Sequence, residues 1–350
     1  MTVDVQKAAR AAAICRSLKM VEVEDGWELC FPELYNFSCW KLHYTWAETL
    51  FIDTALYSIS VLTAVLNLFI IISVSHFRQL HTPTNILLLS LAVSDFLVGL
   101  LLMPADAVKR THCWVFGDLL CSLYRFVINI ILSASVVNMV LISVDRYLAI
   151  CDPLHYTTRI TVHRVKVCVC LVWFCAVAYN SYFFKLHLIQ QEENFPICYG
   201  ECPGGQDNTG ADLQLVLNFI VPVTAIIVLY SRIFVVAVSQ ARAMRSHITA
   251  VTKKIPVTKT AKKSELKAAR TLGVLVVVFL ICFMPTYFAR MGGIDYMSYS
   301  TMFFILYLYY FNSCLNPVIY ALFYPWFRKA VKLIVTLQIL QPGSCEANIL

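Results

Sequence analysis

The chain has 350 residues, 59% of them hydrophobic and only 14% charged, with a formal net charge of +7 and a mean hydropathy of +0.69. A water-soluble domain of this length needs many more charged residues on its surface, so a soluble enzyme or binding module is excluded. The positive excess falls in a few segments between long apolar runs, which marks membrane topology rather than nucleic-acid binding.

In chain order, residues 1–48 read as an outer tail. Its Ala-rich start, AARAAAIC, is interrupted by Arg10 and followed by Arg16 and Lys19, so it lacks the long apolar core of a cleavable signal peptide. Asn36-Phe37-Ser38 is a glycosylation acceptor sequon. Seven apolar stretches then reach membrane-spanning length: Ile52–Ser75, Thr84–Pro104, Phe126–Val144, Val165–Phe184, Leu213–Val238, Thr271–Ala289 and Ser298–Leu322. The expected fold is an all-α membrane protein, a seven-transmembrane helix bundle occupying residues 49–336. No span repeats another, which argues against the repeat-built transporters; a transporter or channel is the least favoured class.

Basic residues orient the bundle. Arg78, then Arg146, Arg159, Arg164 and Lys166, a dense group from Arg242 to Arg270, and Arg328, Lys329 and Lys332 share one side. Lys109, Arg110 and Lys185 are nearly all that the loops on the other side contribute. The expectation is a multi-pass plasma-membrane protein with its N-terminus outside and residues 337–350 as a cytoplasmic tail. After span 7 a short amphipathic helix sets Arg328, Lys329 and Lys332 against Phe327, Val331 and Ile334, facing membrane lipid. Of fourteen cysteines, Cys15, Cys30, Cys39, Cys113, Cys121, Cys198 and Cys202 fall outside, where they can pair.

Polar groups inside spans are costly and point to function. They are Asn67, Asp95, Ser135, Asn312 and Asn316, with Asp145-Arg146-Tyr147 at the inner end of span 3. Single Asn and Ser residues suit interhelical hydrogen bonding. A lone mid-span carboxylate, Asp95, needs a proton, a cation or a partner. No metal-binding spacing, nucleophile elbow or phosphate loop is found, so no enzyme, metal or cofactor is expected.

Asn67, Asp95 in LAVSD, Asp145-Arg146-Tyr147, Trp173, Pro222 with Tyr230, Cys282-Phe283-Met284-Pro285 and Asn316-Pro317-Val318-Ile319-Tyr320 place one marker in every span. Over about residues 50–335 the chain therefore resembles the rhodopsin-like (class A) G-protein-coupled receptors. Asn312-Ser313, Asn316-Pro317, Tyr324-Pro325-Trp326-Phe327, SHFRQLHTPTN, His112-Cys113-Trp114 and CDPLHY resemble the trace amine-associated receptors, and a fish or other aquatic vertebrate member among them.

The resemblance implies a sodium ion among Asp95, Ser135, Asn312 and Asn316, and a Tyr320 that swings inward with Tyr230 beside Pro317. It implies an Arg146 held by Asp145 and by Glu265, and a heterotrimeric G protein of stimulatory or olfactory class that raises cyclic AMP. It implies disulfides Cys121–Cys202 and Cys30–Cys198, with Cys39 and Cys113 left without an assigned partner. Tyr310 occupies the position of the retinal pigments' lysine, so no Schiff base is expected.

For a chemosensory (olfactory) receptor of this kind the resemblance implies a small-molecule amine or polyamine. Here the chain departs from its relatives. The position seven residues after Cys121, usually an aspartate, is Ile128, and the alternative acid position in span 5 is Gln214. Two readings stay open: an amine on a displaced acid, chiefly Asp106, or an anionic or amphipathic ligand on Arg125 and Arg290. Phe283, Tyr287 and Tyr310 supply the aromatic walls.

Overall fold

The structure is a computed structural model. It describes residues 27–34, 37–42, 45–193, 198–202, 213, 215–250, 273–274, 276–286, 288–289 and 299–349. Asn36, Gln214, Glu265, Tyr287, Arg290 and Cys15 lie outside the described residues.

The outer tail is not a plain extension. Strands β1 (Trp27–Leu29) and β2 (Trp40–Leu42) form an antiparallel hairpin with Trp27 opposite Leu42 and Leu29 opposite Trp40. Helix α1 (Trp46–His76) then starts at a capping box. Thr45 Oγ1 accepts from the Glu48 amide at 3.3 Å, and Glu48 Oε2 accepts from the Thr45 amide at 2.9 Å. Two amide donors that water would otherwise have to satisfy are thereby paired at the membrane boundary.

Span 2 is α2 (Pro83–Leu97), a π turn (Val98–Leu102) and α3 (Met103–Thr111). The turn has a local cause: Pro104 has no N–H to offer the preceding turn and its ring crowds the carbonyl four residues back, so the helix widens ahead of it. The same device precedes Pro222, where a π turn (Val216–Ile220) leads into the helix of span 5. Gly99 within the first π turn lets span 1 approach closely. A Cβ there would stand 2.8 Å from the Ala64 nitrogen, and Ser60 Oγ donates to the Gly99 carbonyl at 2.6 Å.

Span 3 is α4 (Gly117–Cys151), followed by the short α5 (Pro153–Arg159). Spans 4 and 5 are α6 (Val162–Glu193) and α7 (Val221–Ala250), with its π turn. Span 6 is carried by α8 (Val276–Thr286) and span 7 by α9 (Tyr299–Phe323). The first five spans are each long and apolar enough to cross a bilayer. The helices overrun their apolar windows: α4 begins nine residues before Phe126 and ends seven after Val144. Backbone hydrogen bonding continues past the hydrocarbon edge, whereas hydropathy stops there.

The main core runs along the inner half, where Ile70, Val74, Leu88, Leu91, Met139, Ile142, Phe279 and Tyr320 are buried together. Large apolar side chains such as Phe51, Phe174 and Leu322 face outward, as lipid contact permits. Helix α10 (Pro325–Val335) buries Trp326, Phe327 and Ala330 and leaves Arg328 and Lys329 exposed. Arg328 Nη1 donates to the Ala321 and Leu322 carbonyls at 2.7 and 3.1 Å, capping the end of span 7.

Candidate functional site

The centre of the bundle is a polar relay joining spans 1, 2 and 7. Asp95 is fully buried on α2. Its Oδ1 accepts from Ser313 Oγ at 2.7 Å and its Oδ2 from Asn316 Nδ2 at 2.6 Å. Asn67 Nδ2 donates to the Thr63 carbonyl at 2.9 Å and to the Ser313 carbonyl at 3.0 Å. That second bond follows from Pro317. Residue 317 would normally donate to the carbonyl of residue 313; a proline cannot, and Asn67 supplies the missing donor from another helix. Pro317 is therefore tolerated inside a continuous α9 because span 1 repairs the break.

Asn316 is brought to Asp95 as its sequence position suggested, but Ser313, not Asn312, provides the second bond. Ser313 was missed because serine in a membrane helix reads as ordinary packing; its place four residues before Pro317 was the available signal. Asn312 and Ser135 are buried in the same bundle. Among the described residues, the Oδ1 atoms of Asn312 and Asn316 and the Tyr320 hydroxyl are buried without a hydrogen-bond partner.

The inner end carries a clamp around Asp145 and Arg146. Arg146 Nε donates to Asp145 Oδ2 at 3.0 Å, and Nη2 contacts both Asp145 Oδ2 and Thr84 Oγ1. Thr84 Oγ1 donates to Asp145 Oδ2 at 2.9 Å, and the Tyr156 hydroxyl donates to Asp145 Oδ1 at 2.8 Å. Span 2 and α5 thus hold the span 3 carboxylate from two sides. Burial, and then the Asp145 charge, push the Tyr156 phenol up to about 12, so it stays a neutral donor. On the same loop the hydrogen bond from His155 holds the Asp152 carboxyl below its ordinary range. Thr84 and Tyr156 stand in the HTPTN and CDPLHY segments, whose roles spacing alone did not disclose. Tyr147 sits beside the clamp on α4, half-buried. Tyr230 on α7 faces Gly273, whose added Cβ would meet its Cε1 at 3.7 Å.

Among the described residues the outer end is a knot of three disulfides: Cys30–Cys113, Cys39–Cys198 and Cys121–Cys202. The pairing Cys30–Cys198 is thereby corrected, and Cys39 and Cys113 acquire partners. Hairpin register is the reason. The Cys30 amide donates to the Cys39 carbonyl at 3.0 Å, so both thiols leave the same end of the hairpin. The second strand's side zips onto the long outer loop, with the Tyr199 amide on Phe37 O at 2.6 Å and the Cys39 amide on Tyr199 O at 2.9 Å. That puts Cys39, not Cys30, next to Cys198, with Cα atoms 4.8 Å apart. Cys30 lies instead over Gly200 and reaches Cys113, Cα to Cα 5.7 Å. Gly200 has φ +108°, and a Cβ there would stand 2.5 Å from Cys30 Cβ, so glycine is required twice over.

Beneath this lid Asp106 is 7% exposed, and its Oδ1 accepts from Tyr124 OH at 3.3 Å. Trp114 tilts onto Tyr124 with centroids 6.0 Å apart. Ile128 packs against a cluster of Val98, Leu102, Met103, Ile131 and Tyr310, so its level of the bundle is filled by apolar and aromatic side chains. Phe283 stacks on Phe279 at 4.3 Å and lies 4.7 Å from Tyr309. Arg125 does not enter the Tyr310 cluster; it lines a cleft against span 4 with Asn180, Phe183 and Phe184.

A seven-helix bundle with a buried polar relay, an Asp-Arg clamp at one end and a disulfide-tied lid at the other is the architecture of a ligand-operated switch. The family model described as 7 transmembrane receptor (rhodopsin family) matches residues 66–320, and the chain belongs to that family. It is a receptor, not an enzyme, of a class that works through a small-molecule ligand and a G protein and crosses the membrane several times.

Within the class it is of the trace amine-associated type. It is 37% identical over 340 residues to trace amine-associated receptor 13c of Danio rerio, covering 93% of this chain and 97% of that protein. It is 37% identical over 331 residues to trace amine-associated receptor 9 of Homo sapiens, covering 92% and 94%. To trace amine-associated receptor 1 of Mus musculus it is 36% identical over 312 residues, covering 85% and 93%.

Proposed function

We propose that the protein is a chemosensory, olfactory-type receptor for a small amine or polyamine, with its N-terminus outside and its C-terminus in the cytoplasm. It activates a stimulatory or olfactory G protein and raises cyclic AMP. The observation that carries the ligand class is Asp106: a carboxylate buried under the lid, one phenol already bonded to it, beside aromatic side chains. A buried carboxylate at the outer end of a span recovers its desolvation cost most fully from a cation. The test is a cyclic AMP screen of monoamines, polyamines and organic acids on the wild type, Asp106→Asn and Arg125→Ala. Amines are expected to activate, and Asp106→Asn to weaken them at least about tenfold, the scale of one buried charge pair. Activation by acids alone, lost in Arg125→Ala, would replace the amine with the rival anionic ligand.

We also infer that the resting state holds a sodium ion at Asp95. The Asp95 carboxylate, Ser135 and the unpartnered amide oxygens of Asn312 and Asn316 form the oxygen-only set that hard cations take. Such an ion neutralises the carboxylate charge and ties spans 2, 3 and 7 in the inactive packing. In activation Tyr320, its hydroxyl unpartnered among the described residues, turns inward with Tyr230 as the relay loosens around Pro317. Replacing sodium by choline should then raise agonist affinity in the wild type. An equal rise in Asp95→Asn would assign the effect to ionic strength and remove the site.

A further inference from the structure

After α10 the backbone folds back onto the molecule. Thr336 and Leu337 close the helix, their amides donating to the Lys332 and Ile334 carbonyls at 3.0 Å each. Leu337 then takes a left-handed conformation, φ +57°, uncommon for a residue with a side chain. Such a conformation persists where surrounding contacts fix it. Two short 3-10 turns follow, Gln338–Leu340 and Ser344–Glu346, and they lead the chain to the first inner loop.

The contacts there are specific. Ser344 Oγ donates to the Ile339 carbonyl at 2.6 Å, which commits its one hydrogen. His76 Nε2, 3.0 Å away at the end of α1, is therefore the donor to Ser344 Oγ. Gln79 brackets the tail backbone: its Nε2 donates to the Glu346 carbonyl and its Oε1 accepts from the Ile349 amide, both at 3.4 Å. Ile349 is 1% exposed and belongs to the main core, with Phe77 and Leu80 beside the loop and Trp326, Phe327 and Ala330 of α10. Ile339 and Ala347 pack against the same cluster. Arg78 and Glu346 pair at 3.5 Å, but both side chains are exposed, and such a pair contributes little. The hold is chiefly apolar, and Ile349 is its anchor.

This docked segment reaches the switch through aromatic rings. Tyr324 is the joint between α9 and α10, its amide donating to the Tyr320 carbonyl at 2.8 Å. Its ring lies 5.9 Å from that of Trp326 and 6.1 Å from that of Tyr320. We propose that residues 338–349 are a detachable latch. Docked on the first inner loop, they hold α10 against the end of span 1 and restrain Tyr320 through Tyr324. Release frees that end of span 7 to move. The latch is independent of the ligand class and of the G protein engaged.

Cys345, a free, half-buried thiol within the docked segment, reports the latch. Full-length receptor in phosphatidylcholine nanodiscs is treated with a maleimide, and labelling at Cys345 is read by peptide mass spectrometry. Hydrogen exchange is followed in the same samples. Ile349→Ser removes the apolar anchor and should speed Cys345 labelling about tenfold or more. It should also raise exchange across residues 320–335. His76→Phe keeps a ring but deletes the donor to Ser344, so labelling should rise about threefold. Asn348→Ser, at an exposed position beside the anchor, should match the wild type in both measurements. Equal labelling in the wild type and Ile349→Ser overturns the docking. Faster labelling with unchanged exchange at residues 320–335 overturns the restraint on span 7. An equal rise of exchange throughout α4 in both Ile349→Ser and His76→Phe would mean a damaged fold rather than a released latch, and rejects it as well.

Discussion

Arg146→Ala is expected to abolish G-protein signalling while the receptor still reaches the cell surface. The guanidinium is hydrogen-bonded by Asp145 and Thr84, and neither belongs to the ligand end. Cyclic AMP output at matched surface expression measures this, and undiminished output would remove Arg146 from the switch. Tyr156→Phe probes the same clamp from the other side. It deletes one donor to a charged carboxylate, worth about 1.5–3 kcal/mol. If that bond favours the closed packing, the active population rises roughly tenfold or more. Basal cyclic AMP should therefore increase without ligand. A basal level equal to wild type would show that α5 stabilises the loop without biasing the switch.

The lid should produce the second large effect. Cys121→Ser and Cys202→Ser are each expected to lose surface expression and ligand response together, since a disulfide closing a long loop contributes about 2–4 kcal/mol. Double variants test the corrected pairing. Cys30→Ser with Cys113→Ser should be no worse than either change alone, because both remove one bond. Cys30→Ser with Cys198→Ser should be worse than either, because two bonds are lost. The reverse pattern in surface expression and thermal stability would restore the Cys30–Cys198 pairing. Full response from both Cys121→Ser and Cys202→Ser would remove the bond that ties the long loop to span 3.

What the amino-acid sequence determined by itself was whatever depends on local chemistry and one-dimensional spacing. Hydrocarbon-length runs define spans because the bilayer imposes a length, and the loops carry basic residues on one side because insertion reads charge. Asp95, Asp145 and Arg146 stood out because an ionisable group in a span is expensive wherever its partner lies. The partners themselves were beyond reach. Ser313 replaces Asn312 at Asp95 because helix rotation chooses which of two neighbouring polar residues faces span 2. Asn67 answers the carbonyl freed by Pro317 because span 1 passes at that height, a match between residues 246 apart in the chain. Thr84 and Tyr156 close on Asp145 from separate segments for the same reason.

The cysteines show the division most plainly. Counting placed them outside, but pairing is a matter of which thiols the fold brings within about 4.4–6.8 Å between Cα atoms. Strand register in the tail hairpin, and its zipping along Tyr199, settle that distance. Likewise Ile128 announced the missing acid, but only packing showed that the vacated level is closed by Tyr310 and its neighbours while Arg125 turns toward span 4. Composition and spacing report what each residue costs; the tertiary structure decides which neighbour offsets that cost.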